Sequence, residues 1–225
     1  MEADATTAAQ RFYGRWADLY DLLARATPGL GRLRARAADA LALESGDTVV
    51  EMGCGTGANL PHLRERVGPD GRIVGVDFTR GMLDRARDRC QREGWDNVSL
   101  VQADAAGVEL RTDPDAMLAS FVVGMLEDPG ETVEGWADLL APGGRLALLD
   151  AAQSPRWFGW PVNQAFRGLV VASSPIGMDG YERAPWSVLD DRVAAARRAL
   201  RRRAVETTHS EHALGIVRLT AGRVE

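Results

Sequence analysis

The chain has 225 residues, 45% of them hydrophobic and 26% charged, enough to bury one substantial core and consistent with a single domain. A formal net charge of -5 offers no global basic field to a phosphate backbone, so nucleic acid is not expected as a partner. Two cysteines, Cys54 and Cys90, form neither a disulfide framework nor a metal-ligand spacing, and no metal is expected.

The first elements are helical. Residues 7–26 carry apolar positions at helical spacing and stop before Pro28, and residues 29–43 resume as a second helix. No run of 18 apolar residues follows, and the N-terminus MEADATTAAQ has neither a basic region nor an apolar stretch, so a cytoplasmic location is expected. Residues 47–52 (DTVVEM) read as a strand, followed by a glycine loop and a helix over 56–67 whose Pro61 lies near its first turn. GPDG makes a turn, residues 72–77 a second strand, and residues 79–94 a charged amphipathic helix with Thr79 as N-cap. Residues 97–104 and 114–123 are the third and fourth strands, 131–140 a helix, APGG a turn and 145–150 the fifth strand. An aromatic-rich segment, 151–186, then precedes a helix over 187–202 and two last strands, at about 204–209 and 214–221.

Strands alternating with helices predict an α/β fold. The expected architecture is a Rossmann-like doubly wound sheet of seven strands, mostly parallel, with an antiparallel C-terminal hairpin. The single domain spans 1–225. Residues 1–45 form helices over the ligand site, 46–150 the binding core, 151–186 an acceptor-side lid, and 187–225 the last helix and hairpin.

In such a sheet the ligand binds beyond the carboxyl ends of the strands. Acids occupy several of those ends: Glu51, Asp77, Asp104 and Asp150. The loop itself, VVEMGCGTGAN over 49–59, narrows the ligand. All 27 basic residues are arginine, so the lysine that a nucleoside-triphosphate loop uses does not exist here. Gly53, Gly55 and Ala58 do satisfy the dinucleotide pattern, with Asp77 about 20 residues on. Against an NAD(P) oxidoreductase, Glu51 sets a carboxylate where a pyrophosphate would approach, and like charges repel. A cationic ligand suits that position.

VVEMGCGTGAN resembles motif I of class I S-adenosylmethionine-dependent methyltransferases, VGVDF with Met82 their motif II, and VQADA their motif III. SFVVGMLEDP is similar to the fourth motif, and LLAPGGRLALLD to the turn and fifth strand after it. RFYGRWADLYD resembles the opening helix of the branch with ubiquinone, menaquinone and phospholipid methyltransferases. The resemblance covers about residues 11–150 and implies S-adenosylmethionine as cofactor and S-adenosylhomocysteine as product. It implies that Gly53, Gly55 and Gly57 let the backbone approach the methionine part, with Cys54 and Asn59 in the same loop. It places Glu51 near the cofactor's amino group and Asp77 on both ribose hydroxyls. Phe78 would stack on adenine beside Met82, Asp104 would accept from the adenine amine, and the Ala105 N–H would donate to the ring. Ser120 and Phe121 would line the methionine side, and Tyr13 and Tyr20 would close over the cofactor.

These binding residues name no catalytic group. Methyl transfer to an acceptor needs a base only where a proton must leave. Gly124 and Met125 occupy the stretch where related proteins often carry histidine. His62 is expected at the surface, and His209 and His212 at the turn of the last hairpin. Segment 151–186 holds three of the six tryptophans and two of the five phenylalanines, including an apolar helix at about 158–171 flanked by Arg156 and Arg167. It is a candidate lid for a small apolar acceptor, a quinone or lipid, or a peripheral membrane contact; covering the sheet is the plainer alternative. Arginines over 197–203 are expected to form a solvated helix end. A catalytically silent S-adenosylmethionine-binding partner subunit is the competing function.

Overall fold

The computed structural model describes residues 29–172 and 183–225. The predicted helix over 7–26, with Tyr13 and Tyr20, lies outside them. The described elements are α1 (Leu30–Asp39), β1 (Thr48–Met52), α2 (Leu60–Val67), β2 (Arg72–Asp77), α3 (Arg80–Glu93), β3 (Val98–Gln102) and β4 (Ala116–Ser120). They continue with α4 (Pro129–Asp138), β5 (Arg145–Ala151), α5 (Trp160–Ala172), α6 (Pro185–Arg203), β6 (Ala204–His212) and β7 (Val217–Val224).

The seven strands form one sheet in the order β3-β2-β1-β4-β5-β7-β6. The first five pair in parallel, while β7 runs antiparallel to both β5 and β6. Strand order reverses between β1 and β4, which opens the switch-point crevice above their carboxyl ends. Both faces are covered, so the inner strands read as apolar runs rather than alternations. On one face Ala37, Leu60, Leu63 and Ala86 bring α1, α2 and α3 onto Val49, Ile73, Leu118 and Leu149. On the other, Val133, Trp136, Val193 and Leu200 bring α4 and α6 onto Val50, Met117, Leu146 and Leu148.

Element bounds depart from the sequence reading where backbone chemistry intervenes. Helix α2 begins at Leu60 rather than at Thr56, because Gly57 at φ +74 lies outside the helical region. Strand β4 ends at Ser120, since Phe121 turns to φ 58 and the chain enters a 3-10 turn at Val123–Met125. Thr79 occupies the N-cap position of α3 without a side-chain cap bond. Asp128 does cap α4, accepting from the Glu131 N–H at 2.9 Å. Within β2, a Cβ on Gly75 would lie 2.9 Å from Cys54 Sγ, so the strand's bare backbone gives the thiol its seat.

Candidate functional site

The loop after β1 is shaped by two constraints at once. Gly53 has φ +67, and a Cβ there would stand 2.6 Å from Val122 Cγ2, so only glycine lets the β1 and β4 loops approach this closely. Gly55 at φ +54 and Gly57 at φ +74 continue the turn. Its position is fixed by Asp77, whose Oδ2 accepts from the Gly55 N–H at 2.9 Å and whose Oδ1 accepts from the Thr79 N–H at 2.8 Å. The Thr79 hydroxyl reaches the same carboxylate, replacing the predicted helix cap. Burial pushes the Asp77 pKa up, and these hydrogen bonds work against the rise. Asp77 therefore joins the β1 loop to the start of α3 and, as a carboxylate, keeps acceptor capacity for about one further donor.

Glu51 is buried beneath the loop, 1% exposed. Its Oε1 accepts from Asn59 Nδ2 at 2.5 Å, and the same amide nitrogen donates to Ser120 Oγ at 3.1 Å. One amide thus ties β1, the glycine loop and β4 across the switch point. Glu51 Oε2 and Asn59 Oδ1 are buried and lack hydrogen-bond partners. Two unsatisfied acceptors on one hydrogen-bonded pair of side chains suit a donor-rich, cationic group. Burial raises the Glu51 pKa to about 8, opposed by the Asn59 bond and by Arg34 and Arg89 and reinforced by Asp77.

The remaining candidates line the same edge. Phe78 is half-buried, and its carbonyl accepts from Gln102 Nε2 at 3.2 Å. Met82 is buried in α3. Asp104 is exposed, with Oδ1 accepting from the Ala106 N–H at 2.9 Å. Ala105 is buried, and its carbonyl accepts from Trp136 Nε1 at 2.7 Å, which anchors the β3 loop to α4. Phe121, in the left-handed region at φ 58, keeps its N–H bonded to the Leu149 carbonyl at 2.7 Å. A strained non-glycine residue of this kind costs about 1–3 kcal/mol and is typical of ligand-facing positions. Burial pushes the Cys54 thiol well above its usual pKa, and Glu51 and Asp77 add to the rise.

Asp150, one of the acids at the strand ends, is 2% exposed and its Oδ2 has no hydrogen-bond partner. Burial raises its pKa to about 7, with Arg197 opposing. Arg197 leaves the expected solvated helix end. It donates from Nε to Thr220 Oγ1 at 3.2 Å and lies 2.9 Å from His209 Nε2. His209 belongs to β6, opposite Thr220, and not to the hairpin turn; residues 213–215 make the turn. Burial and Arg197 lower the His209 pKa. His212, at the end of β6, is 3.2 Å from Arg36 Nη1.

One cluster had no local signal in the sequence. Gln153, just after β5, donates from its N–H to Asp190 Oδ1 at 2.7 Å and from Nε2 to Asp190 Oδ2 at 2.6 Å. Arg167 Nε donates to Gln153 Oε1 at 2.6 Å, and its guanidinium stands 5.3 Å from the Trp186 ring centroid. These contacts join β5, α5 and α6 above the sheet. Arg192 Nη1 donates to the Gly124 carbonyl at 3.1 Å, and a Cβ on Gly124 would run into Leu189, so α6 also seats the turn after β4. A hollow of about 450 Å³ bordered by Arg87, Cys90, Trp95 and Leu100 lies at the sheet's outer edge, away from these groups. Among the described residues, no three His, Cys, Asp or Glu side chains are grouped to hold a metal ion.

A family of methyltransferase domains matches residues 49–144. Among curated proteins, the chain is 31% identical to phosphatidylethanolamine N-methyltransferase of Cereibacter sphaeroides over 67% of this chain and 70% of that protein. It is 36% identical to aklanonic acid methyltransferase DauC of Streptomyces sp. (strain C5) over 46% of this chain, a match that spans 48% of that relative's length. Among solved structures, N-methyltransferase NodS of Bradyrhizobium japonicum WM9, in complex with S-adenosyl-L-homocysteine, aligns at a TM-score of 0.59 and 19% identity. That alignment covers 89% of this chain and 90% of NodS, a likeness of fold.

Proposed function

Because the chain belongs to the class I S-adenosylmethionine-dependent methyltransferase family, we propose that it methylates a small apolar acceptor, a quinone or lipid-like molecule, held above β4 and β5. The observation that carries the cofactor half is the buried Glu51–Asn59 pair, with its two unpartnered acceptor oxygens. Those oxygens fit an amino acid's ammonium group. Asp77 would accept from a ribose hydroxyl while keeping its bonds to the Gly55 and Thr79 N–H groups. Phe78, Met82, Asp104 and Ala105 would hold the adenine, and Ser120 and Phe121 the methionine side.

When bound, S-adenosylmethionine supplies an electrophilic methyl on a sulfonium that departs as a neutral thioether. The chain's own contribution is positioning: β1 and β4 fix the donor side, and the Gln153–Asp190–Arg167 cluster holds α5 and α6 over the acceptor side. Residues 122–125, after β4, present no titratable side chain that could take a proton there. Segment 151–186 supports an apolar acceptor through its aromatic content. The two relatives are named for aklanonic acid and phosphatidylethanolamine.

The test is calorimetric titration with S-adenosylmethionine, S-adenosylhomocysteine and NADH in parallel, followed by an acceptor panel of quinols, phospholipids and aromatic acids. Micromolar binding of the first two and none of NADH, with methyl transfer to one panel class, is the expected result. Binding without transfer across the panel favours a silent partner subunit, and binding of NADH alone overturns the reading.

A further inference from the structure

The segment between β5 and α5 is a framework built from polar contacts. Ser154 N–H donates to Asn163 Oδ1 at 2.7 Å, and Asn163 Nδ2 returns a bond to the Ser154 carbonyl at 3.1 Å. Ser154 Oγ, in a residue 7% exposed, donates to the Leu214 carbonyl at 2.6 Å. Gly159 N–H donates to the Arg156 carbonyl at 2.9 Å, and a Cβ on Gly159 would meet Ser154 Oγ at 2.6 Å. The loop is therefore held in place.

What it holds out to solvent is apolar. Trp157 is 93% exposed, Trp160 68%, Leu169 60% and Phe158 45%, while Phe166 faces inward. The exposed face of α5 consists of Trp160, Pro161, Gln164, Ala165, Gly168 and Leu169, without one charged side chain. A helix on a globular protein ordinarily turns its polar face outward, and here the outward face is largely apolar as well. Between Asp150 and Asp179 the sequence contains no acid and only two charges, Arg156 and Arg167, in a chain of net charge -5.

We infer that the Trp157–Phe158–Trp160 loop and the outer face of α5 dock on an anionic phospholipid bilayer. Tryptophan suits the interface, where its ring meets acyl chain and its N–H meets headgroup. Arg156, 5.8 Å from the Phe158 ring centroid and 3.7 Å from Glu211, lies at the rim, where an arginine reaches headgroup phosphate while its stem packs on apolar surface. A second copy of the chain is a poorer occupant. A two-fold contact would bring Arg156 toward its own copy, and the neighbouring carboxylate, Glu211, already lies 3.7 Å from that guanidinium within the chain. The inference goes beyond the proposed reaction and does not depend on which acceptor is methylated.

The test is cosedimentation of the full chain with vesicles of phosphatidylcholine alone and of phosphatidylcholine with phosphatidylglycerol, read together with tryptophan emission. Binding to the anionic vesicles, a blue shift, and weakening by added salt are expected. The double variant Trp157→Ala/Trp160→Ala should lower the partition coefficient by about tenfold or more while binding S-adenosylhomocysteine as the wild type does. No binding to anionic vesicles, equal binding to both kinds, or binding unchanged in the double variant overturns the proposal. So does a concentration-dependent dimer in sedimentation velocity that the double variant abolishes, which would assign the face to a second copy. Vesicle binding by a protein that fails to bind S-adenosylhomocysteine would remove the proposed reaction and leave this surface standing.

Discussion

Asn59 Nδ2 donates to Glu51 Oε1 at 2.5 Å, holding a buried carboxyl group at the switch point of the sheet with its other oxygen unpartnered. Glu51 has a pKa of about 8 in the free protein, raised by burial, so it is largely protonated at pH 7. A bound ammonium group favours the carboxylate, and binding must therefore release a proton. Titrating S-adenosylhomocysteine at pH 7 in buffers of different ionisation enthalpy should reveal that release. Affinity should tighten from pH 6 toward pH 8 and level off above. Glu51→Gln should abolish the proton release and weaken binding by about 1.5–3 kcal/mol; a pH-independent dissociation constant would remove Glu51 from the site.

Asp150 is expected to shape the pH dependence of stability. Burial pushes its folded pKa up to about 7 from the ordinary aspartate value of 3.8. Between those values the folded state holds a proton the unfolded state has lost, so stability falls as pH rises, by about 1.4 kcal/mol per unit for a fully shifted group. Asp150→Asn should remove its share of that decline, leaving the share of Glu51, and raise the melting temperature at pH 8 relative to the wild type. Thermal melts from pH 4 to 8 check this; parallel curves for the two proteins would mean that Asp150 ionises freely.

Asp77 serves two purposes that substitution can separate. Asp77→Asn replaces one of the two oxygens that now accept the Gly55 and Thr79 N–H groups. Cofactor affinity should drop by about 1–3 kcal/mol, the range for losing charged hydrogen bonds. Urea unfolding should show a smaller loss of stability, because the chain can re-form one of the two backbone bonds. Unchanged affinity would exclude Asp77 as a ligand contact.

Gly53 and Gly55 separate backbone strain from crowding. A side chain at Gly55 meets open space, and Gly55→Ala should cost only the left-handed penalty of about 1–2 kcal/mol. Gly53→Ala adds a clash with Val122 and should cost roughly 2–5 kcal/mol. Val122→Ala in that background should recover only part, since Val122 Cβ itself would stand 2.9 Å from the new methyl. Equal losses for the two glycine variants in urea unfolding would contradict this geometry.

What the sequence made legible was local. The glycine loop, the acids ending β1 and β2, and the order of strands and helices follow from residues within a few positions of one another. Asp150 was not legible, because its burial depends on α6 folding back over β5 from more than 30 residues away. The length of β6 was not legible for a related reason, which put His209 at the end of the strand rather than within it. Strand β6 is an edge strand, largely exposed, with a polar sequence that shows no apolar alternation. The turn at 213–215 is made partly by Leu214 at φ 58, a residue that gives no turn signal. The Thr79 cap does not form because its hydroxyl, like its own N–H, is taken up by the Asp77 carboxylate two residues upstream.

The seat that Gly75 provides for Cys54 also gives the loop an intrinsic clock. With its thiol pressed against strand backbone and its ionisation suppressed, Cys54 can react with an alkylating reagent only while the loop has lifted. In a Cys90→Ala background, the rate of Cys54 labelling would count those excursions, and a ligand that stills the loop would slow the count.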